Sequence, residues 1–455
     1  MNVANEMVRI LGKDRVLDTE EDRLAYAFDG TMLTGVPDVV VFPRCTEQVQ
    51  QVLCFANREG VPVYPRGAGT GLSGGSIPDG GIAMVMIDMD KILEIDRENL
   101  LCVVEPGVVT ETLQKAAEAM GLFYPPDPGS LKACTIGGNI AENAGGPRAL
   151  KYGVTGDYVL GLSVVTPDGG FVRTGGRTVK NVTGFDLTSL LVGSEGMLGV
   201  VTRAILKLLP HPEAARTALA SFSSVESAAE AVSEIISRGI IPTALELMDD
   251  VTIRCVENYV KMGLPLDAGA ILLIEVDGPR CLVDEQIVKV ASACEDARAT
   301  RIEVARDEDE RDKLWKARRS VSAAVVQLNP TKISEDATVP RSKVAQLVRR
   351  LKQIAREYDV KMAVFGHAGD GNLHPNILAN RRDPEEMKRV EEAVGALFEA
   401  ALELGGTLSG EHGIGLMKAR YLQKEAGETG IQMMRAIKRA LDPNNILNPG
   451  KMLWG

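Results

Sequence analysis

The sequence contains little histidine, no paired cysteines and no long apolar run. Its seven cysteines are odd in number and never form a Cys-x-x-Cys pair, which excludes iron–sulfur clusters and zinc ribbons of familiar spacing. No apolar run approaches the roughly 20 residues of a membrane-spanning helix, and the N-terminal stretch lacks the apolar core of a signal peptide. These absences predict a cytoplasmic protein that reaches a membrane only through a partner.

Positive charge is also in deficit, because the formal net charge is -11. Nucleic acid and anionic membrane surfaces both require clustered Lys and Arg to offset phosphate charge, so neither is expected as the main partner. The composition, 45% hydrophobic and 25% charged, is otherwise that of an ordinary globular protein. An anionic substrate would therefore have to be attracted by local groups.

The pattern of strands and helices predicts an α+β protein with α/β segments. Residues 1–36 read as helical, and from there to about residue 210 strands alternate with helices. An Asp-Gly-Gly turn marks a hairpin within this region, and "EGMLGVVTRAILKLLP" closes it. From 211 to 415, strands recur with amphipathic helices, which indicates an antiparallel sheet covered by helices. Residues 416–455 form a third segment that contains a basic helix. The predicted domains are thus 1–210 and 211–415, followed by this C-terminal segment.

Three glycine-rich stretches lie in the first domain: "YPRGAGTGLSGGSIP" (64–78), "TIGGNIAENAGGPRALKYG" (135–153) and "GSEGMLGVVT" (193–202). Glycine lets the backbone approach an anion closely and offer successive N–H groups. The first stretch matches neither a P-loop nor the dinucleotide fingerprint that opens a helix. A flexible connector is the alternative for one such loop. Three of them in one domain favour a long ligand contacted mostly by backbone.

These stretches, taken in order with "NPGK" near the C-terminus, resemble the FAD-binding fold of the vanillyl-alcohol oxidase (PCMH) type. The resemblance is to the branch that contains D-lactate dehydrogenases, the glycolate oxidase flavin subunit and D-2-hydroxyglutarate dehydrogenase, and it covers nearly the whole chain. It implies a two-part FAD-binding domain, a cap domain for the substrate, and a C-terminal segment that packs back towards the FAD domain. No histidine precedes residue 211, so the resemblance implies FAD that is bound without a covalent link.

The same resemblance implies the residues that contact FAD. The first loop would hold the pyrophosphate, and the later segments would line the rest of the cofactor. The implied contacts are Pro65, Arg66, Gly67, Ala68, Gly69, Thr70, Gly71, Ser73, Pro126, Asp127, Ser130, Thr135, Gly138, Asn139, Gly145, Glu195, Val200, Val201 and Asn448.

The stretch "KMAVFGHAGDGNLHPNIL" holds two of the four histidines and reads as a hairpin that turns at Asp370-Gly371. A turn centred there predicts that His367 and His374 face each other directly, with Cβ atoms about 4.5–5.5 Å apart. That spacing allows two imidazoles to share a metal ion. A pair of buried structural histidines is the alternative. Glu411 and His412, in "SGEHGIG", add an oxygen ligand and another nitrogen.

The resemblance divides these four residues by role. It implies that His367, His374 and Glu411 hold a divalent metal (zinc, manganese or iron), where the histidines also contact the substrate, and that His412 is the general base. Oxidation of a 2-hydroxy acid transfers a hydride to the flavin and a proton to a base, so a metal that lowers the hydroxyl pKa beside a near-neutral histidine suits the reaction.

The substrate carboxylate needs cationic anchors. Taken alone, Arg318 and Lys332 are better explained as solvated surface charges, but the family's W-x-x-R pattern matches Trp315 to Arg318 and its downstream lysine matches Lys332. Arg suits bidentate carboxylate contact. Ser322 stands where some relatives have Thr, and the spacing to Lys332 is one residue shorter. Asn376 is a further substrate contact implied by the match.

The sequence therefore favours an FAD-dependent dehydrogenase that oxidises a 2-hydroxy acid such as lactate, glycolate or 2-hydroxyglutarate, with the D form expected where the acid is chiral. A metal-dependent hydrolase using the His-His-Glu set and a non-catalytic electron-carrier subunit are the alternatives. Because no cysteine pattern provides an internal electron relay, a separate acceptor is expected: an electron-transfer flavoprotein, an iron–sulfur subunit, a quinone or a cytochrome. A homodimer and a hetero-oligomer are both compatible with this interpretation.

Overall fold

The computed structural model describes residues 2–453, which form two compact units. The first unit contains the described residues up to Gly145, the segment Val154–His211, and the chain from Glu411 onward. The second contains Gly146–Gly153 and Pro212–Gly410. Within residues 2–453, no helix is long and apolar enough to cross a membrane.

The helices of the described chain follow one another in this order: α1 (Val3–Leu11), α2 (Glu20–Leu24), α3 (Thr46–Glu59), α4 (Thr110–Glu118), α5 (Ile136–Glu142), α6 (Ala149–Tyr152), α7 (Leu187–Leu191), α8 (Val225–Ser237), α9 (Asp250–Val260), α10 (Arg280–Asp296), α11 (Glu308–Val325), α12 (Val344–Glu357), α13 (Pro384–Glu403) and α14 (Ala419–Leu441). The last of these is kinked at Gly427.

The strands are β1 (Val16–Leu17), β2 (Val39–Val41), β3 (Val63–Arg66), β4 (Ile82–Val85), β5 (Ile92–Asp96), β6 (Leu101–Val104), β7 (Leu122–Phe123), β8 (Val159–Val165), β9 (Phe171–Gly175), β10 (Val200–Lys207), β11 (Leu209–Pro210), β12 (Ala214–Phe222), β13 (Ala244–Asp249), β14 (Ala270–Gly278), β15 (Arg301–Val304), β16 (Thr331–Ser334), β17 (Ala337–Thr338), β18 (Lys361–His367) and β19 (Asn372–Ala379).

The first unit is built on two larger sheets and a short two-stranded one. In the order β1-β2-β4-β3, the strands β2, β4 and β3 run parallel and β1 is antiparallel to β2. The other large sheet, β5-β6-β10-β8-β9, is antiparallel throughout. The predicted alternation of strands and helices therefore produces a parallel sheet only in its first part.

Helix α3 illustrates how the sequence builds the core of this unit. Its apolar residues fall on one face and are fully or almost fully buried, and they pack with the strands of the first sheet and with α1. The helix ends at Gly60, which adopts φ 67°, a left-handed conformation that terminates helices at low cost when the residue is glycine. Strand β3 follows and leads directly into the first glycine-rich loop.

The second unit is an antiparallel sheet of β12 to β19, in the order β15-β12-β14-β13-β18-β19-β16 with β17 also paired to β19. The interior strand β14 is buried along almost its whole length. Trp315, Val321 and Phe365 belong to the apolar cluster that joins the sheet to α9 and α11. The prediction of an antiparallel sheet covered by helices is confirmed for this unit.

One prediction near the N-terminus was wrong. Residues 1–36 read as helical, but α1 ends at Leu11 and only the short α2 follows before β2. Gly12 adopts φ 93°, a conformation that an L residue in a continuing helix cannot take, and this terminates α1. The stretch up to residue 36 is thus a series of short elements.

Candidate functional site

The two histidines lie on adjacent strands, β18 and β19, but not in the predicted register. His367 pairs with Asn372 and His374 pairs with Phe365, so the facing residues sum to 739 and not to the predicted 741. The physical reason is the turn, which occupies residues 368–371 and closes with a hydrogen bond from Gly371 N to His367 O at 3.1 Å. A four-residue loop fits this chain better than the two-residue Asp-Gly turn that we predicted.

His367 and His374 are still close together, because the observed register differs from the predicted one by two residues. A shift of two keeps both side chains on the same face of the sheet, as diagonal neighbours. The Nε2 atoms of His367 and His374 lie 3.3 Å apart and the rings are nearly perpendicular. Two nitrogens that each bind zinc at 2.0–2.1 Å in a tetrahedral arrangement are about 3.3 Å apart, so this pair fits a shared metal ion.

A buried carboxylate fixes the ring of His367. Glu246 lies opposite His367 in the neighbouring strand β13, and its Oε1 is 2.6 Å from His367 Nδ1. Although burial raises the pKa of Glu246, the charge of Arg318 and the hydrogen bonds from His367 and Arg318 outweigh it and hold this pKa at about 2. An ionised carboxylate can only accept, so Nδ1 donates and the Nε2 lone pair is directed towards His374.

Glu411 follows Gly410, the last residue of the second unit. One carboxylate oxygen of Glu411 and the ring nitrogens of His367 and His374 all lie within 4.8 Å of one another. Two neutral imidazoles and a carboxylate form a donor set that suits zinc, manganese or iron. The donor chemistry and the spacing therefore fit the divalent metal that the resemblance implies.

The chain around Glu411 is held on both sides. Just before it, Gly410 N and Ser409 Oγ donate to the fully buried Asp336, at 2.7 Å and at 3.1–3.2 Å. In the first unit, a Cβ added to Gly145 would lie 2.9 Å from Glu411 Oε2. Gly145, predicted as an FAD contact, therefore also leaves room for the carboxylate of Glu411.

The predicted carboxylate anchors both lie in the second unit, and Arg318 is connected to the histidine pair through Glu246. Arg318, on α11, donates from Nε to Glu246 Oε2 at 2.5 Å, and its guanidinium carbon is 5.1 Å from the centre of the Phe365 ring. Lys332 donates to Ser322 Oγ at 2.7 Å, and burial lowers the pKa of Lys332. Within residues 2–453, the two terminal guanidinium nitrogens of Arg318 donate no hydrogen bond, so they can donate to a bound anion.

Asn376 is fully buried on the same sheet face as His374, two residues away along β19. Its amide nitrogen donates to His374 O at 2.8 Å, whereas its Oδ1 is buried with no hydrogen-bond partner in the described chain. A buried acceptor of this kind costs free energy unless something binds to it. Asn376 thus supports the backbone of His374 and keeps an oxygen for a further contact.

His412, the predicted base, begins a loop of the first unit that the carboxylates of Glu195 and Glu142 contact. Glu195 accepts from Ile414 N at 2.7 Å and from Gly415 N at 2.8 Å, and Glu142 lies against Gly413. Burial raises the pKa of both carboxyl groups, and the charge of Glu195 raises that of Glu142 further. Glu195, predicted as a cofactor contact, is in this structure a support of the His412 loop.

The first glycine-rich loop follows β3 and has the form of a cradle. A Cβ at Gly67 would overlap Thr135 Oγ1, which is itself buried with no hydrogen-bond partner in the described chain. Gly69 adopts φ 70°, and a Cβ there would overlap the guanidinium of Arg66. A close backbone, a buried hydroxyl and a buried arginine are what an anionic pyrophosphate requires, so these residues fit FAD.

The other predicted FAD contacts are placed as follows. Ser73 Oγ donates a hydrogen bond to Glu142, and Asn139 Nδ2 donates one to Thr110. The carbonyl oxygen of Pro126 accepts from Gln114, and Ser130 Oγ contacts Thr70. Asn448 Nδ2 donates to Gly75 O at 2.8 Å and to Glu195 O at 2.6 Å, which ties the C-terminal segment to this region. Pro65 lies on β3, Val200 and Val201 on β10, Gly138 on α5, and Ala68, Gly71 and Asp127 in loops.

Sequence reasoning missed Glu246 and Asp336. Glu246 lies inside the mostly apolar strand β13, "ALELMD", flanked by leucines on both sides, where nothing local gives a reason to expect a charge. Such a charge is rarely buried without a partner, so its position in an apolar strand was the available signal. Asp336 follows another acid in "ISEDATVP" and gave no comparable signal.

Comparison with known proteins gives consistent matches along the whole chain. The model "FAD binding domain" matches residues 37–175, and "FAD linked oxidases, C-terminal domain" matches residues 211–452. Glycolate oxidase subunit GlcD of Bacillus subtilis (strain 168) is 49% identical over 453 residues, which cover 99% of this chain and 96% of that protein. D-lactate dehydrogenase of Anaerostipes hadrus is 36% identical over 461 residues, covering 99% and 97%.

A solved structure of p-cresol methylhydroxylase with substrate bound superposes with a TM-score of 0.82 at 18% identity, covering 99% of this chain and 96% of that one. This likeness concerns the fold alone, and it confirms the PCMH type that the glycine-rich stretches predicted. The C-terminal family model spans more than half of the chain and the FAD-binding model spans much of the remainder. The chain therefore belongs to the FAD-linked oxidases and is an FAD-linked oxidoreductase.

Proposed function

We propose that this protein oxidises a 2-hydroxy acid, either achiral glycolate or the D form of an acid such as lactate or 2-hydroxyglutarate, to the corresponding 2-keto acid with the assistance of a divalent metal. The observation that carries the proposal is the arrangement around Glu246. Its two carboxylate oxygens contact His367 and Arg318, so a proposed metal ligand and a proposed carboxylate anchor share one buried partner. A 2-hydroxy acid has a hydroxyl and a carboxylate on adjacent carbons and needs both groups bound close together.

The relatives support the same substrate class. One is named as a glycolate oxidase subunit and another as a D-lactate dehydrogenase, and both glycolate and lactate are 2-hydroxy acids. Bound FAD supplies a hydride acceptor, and a metal held by His367, His374 and Glu411 supplies a Lewis acid that lowers the pKa of the substrate hydroxyl.

The residues of the chain have three tasks in this proposal. Arg318 and Lys332 bind the substrate carboxylate, and burial around Lys332 strengthens the attraction of its charged form for an anion. His412 takes the proton of the substrate hydroxyl, since an imidazole near neutral pKa suits this transfer. The loop Gly67–Gly71 binds the FAD pyrophosphate through backbone N–H groups, assisted by Arg66 and Thr135.

Electrons must leave the protein after each turnover. The seven cysteines of the sequence are all free, and their spacing provides no cluster that could carry electrons onward. We therefore propose a separate acceptor, and the word "subunit" in the name of one relative favours a partner protein in a hetero-oligomer. An electron-transfer flavoprotein, an iron–sulfur subunit, a quinone and a cytochrome all suit this chemistry.

An anaerobic titration tests the proposal. The purified yellow protein is mixed with glycolate and with a panel of D- and L-2-hydroxy acids, and loss of the oxidised flavin absorbance is recorded. We expect bleaching by glycolate or by at least one D-2-hydroxy acid, and none by the matched acid without the hydroxyl. Bleaching by no member of the panel would refute the substrate class. Colourless protein that cannot be reconstituted with FAD would remove the flavin chemistry itself and favour the hydrolase alternative.

A further inference from the structure

Glu246 lies at the centre of the sheet of the second unit and is completely buried. In β13 it pairs with Leu273 of β14 on one side and with His367 of β18 on the other. Its Oε1 is 2.6 Å from His367 Nδ1 and its Oε2 is 2.5 Å from Arg318 Nε. Each oxygen therefore binds a different group, one from a strand and one from helix α11.

A second chain of contacts joins the same groups. The guanidinium of Arg318 lies over the Phe365 ring at 5.1 Å, and this ring is 5.5 Å from the ring of His374, its partner across β18 and β19. Arg318 is thus linked to His367 through Glu246 and to His374 through Phe365. A shift of the guanidinium would therefore change contacts that support both histidines.

Each hydrogen bond to Glu246 also determines which nitrogen atoms of His367 and Arg318 remain for other ligands. Donation by His367 Nδ1 leaves Nε2 as the lone-pair donor of that ring. Donation by Arg318 Nε leaves the two terminal nitrogens, which can bind a carboxylate end-on with two parallel hydrogen bonds. Glu246 contacts neither the metal nor the substrate in this arrangement, but it sets the direction of a group that contacts each.

We infer that Glu246 is a positioning residue that couples the metal site to the substrate-carboxylate site. The inference rests on the proposed function and adds to it a shared support for the two sites. Loss of Glu246 should weaken metal binding and substrate binding together, whereas loss of either site's own residue should weaken mainly that site. Because the coupling is reciprocal, metal should tighten substrate binding and substrate should tighten metal binding.

Glu246→Gln is the informative substitution. An amide has one acceptor oxygen where two donors, His367 Nδ1 and Arg318 Nε, need acceptors. If the amide oxygen faces Arg318, its NH₂ faces His367 and forces the proton to Nε2, which removes the metal-binding lone pair. If the oxygen faces His367, Arg318 loses its bond. Either orientation breaks one of the two contacts while preserving the volume of the side chain.

Glu275 provides a matched control on the next strand. It is another buried carboxylate under α11, and it accepts from Arg311 Nε at 2.9 Å and from Trp315 Nε1 at 2.7 Å. Glu275→Gln removes a similar buried charge from the same sheet and helix but touches neither a histidine nor Arg318. Any loss that comes from destabilisation alone should therefore appear in both variants.

The experiment measures zinc affinity of the FAD-loaded full chain by competition with a chromophoric chelator, and KM for the best 2-hydroxy acid. We expect Glu246→Gln to lose about 10- to 100-fold in zinc affinity, the range typical of outer ligand partners, and to raise KM. Glu275→Gln should stay within about twofold of the wild type in both, a range that is small on the scale of one hydrogen bond. Equal behaviour of the two variants would overturn the inference, as would a wild type that binds no zinc.

Glu246→Asp serves if Glu246→Gln does not fold. It keeps the charge but withdraws the carboxylate by about one carbon–carbon bond, ~1.5 Å, so it cannot reach both partners and should lose affinity in the same direction. Different results would refute the inference and the proposed function. Flavin bleaching by a hydroxy acid with normal zinc affinity in both Glu246 variants refutes the inference alone. Loss of zinc affinity in a protein that no hydroxy acid bleaches refutes the substrate class alone.

Discussion

His367 and His374 bring their Nε2 atoms within 3.3 Å of each other, although the register of β18 and β19 pairs them with other residues. Both rings are buried, and a carboxylate holds one of them through Nδ1. Two buried imidazoles whose lone pairs converge are either joined by one shared proton or by a metal ion. The metal ion that we propose would in addition use the carboxylate of Glu411, which lies within 4.8 Å of the same ring nitrogens.

Removal of the metal should separate two properties of the protein. Treatment with a strong chelator is expected to abolish turnover of the hydroxy acid but to leave the yellow colour, because the residues proposed for FAD lie in a different unit from the histidine pair. Zinc, manganese or iron should then restore activity. Metal content by elemental analysis and flavin content by absorbance are the measurements. Full turnover in protein verified as metal-free would make the histidine pair structural.

The fold was largely predictable because its signals are local. The apolar face of α3, the glycine that ends it and the Asp-Gly-Gly hairpin between β8 and β9 all follow from neighbouring residues. The register of β18 and β19 was not predictable, because both turn lengths suit the Gly-Asp-Gly sequence and tertiary packing chooses between them. The expected contact of the two histidines held only because an error of two residues preserves the face.

The residues that orient the site's functional groups could not be predicted from the sequence for a different reason. Glu246 is separated from His367 by 121 residues and from Arg318 by 72, so no local pattern relates them. The supports of the His412 loop are equally distant: Glu195 reaches Ile414 across 219 residues. Ligands that repeat in a short motif can be identified from that motif, whereas the groups that orient them come from whichever strand the fold places alongside.

His412→Ala tests the general base. We expect the variant to retain FAD and metal but to slow flavin reduction by the hydroxy acid about 10²- to 10⁴-fold, the usual contribution of a positioned base. Anaerobic stopped-flow absorbance gives the rate directly. His211→Ala is the matched control, since His211 packs edge-on against Phe123 in the first unit and has no proposed part in the reaction. An unchanged rate in His412→Ala would remove this residue from the mechanism.

Gly69→Ala tests the FAD cradle. The residue has φ 70°, and a Cβ would overlap the guanidinium of Arg66, so the loop or the arginine must move. We expect a large loss of bound FAD per chain after gel filtration. Gly60→Ala separates clash from backbone strain, because Gly60 has φ 67° at the end of α3 with nothing within 4 Å of an added Cβ. Equal FAD content in the two variants would exclude the predicted role of the loop.

Asp249→Asn should change the pH dependence of stability. Asp249 caps the N-terminus of α9 and accepts from Thr252 N at 2.8 Å, yet burial raises the pKa of its carboxyl group from 3.8 to about 6. Between these two values the folded protein keeps a proton that the unfolded chain has released. This group's contribution to stability therefore falls as pH rises from about 4 to 6, by at most about 3 kcal/mol. An Asn caps equally well without ionising.

The stability of Asp249→Asn relative to the wild type should therefore increase as pH rises from about 4 to 6 and stay constant above that range. Thermal unfolding midpoints from pH 4 to 7.5 provide the measurement. Asp186→Asn is the opposite case: Asp186 caps α7, and the hydrogen bond from the Ser189 hydroxyl lowers the pKa of its carboxyl group. Its replacement should cost stability above the unfolded pKa and cost nothing once both states are protonated. Parallel midpoint curves for the wild type and Asp249→Asn at every pH would contradict the burial of an ionisable group in this cap.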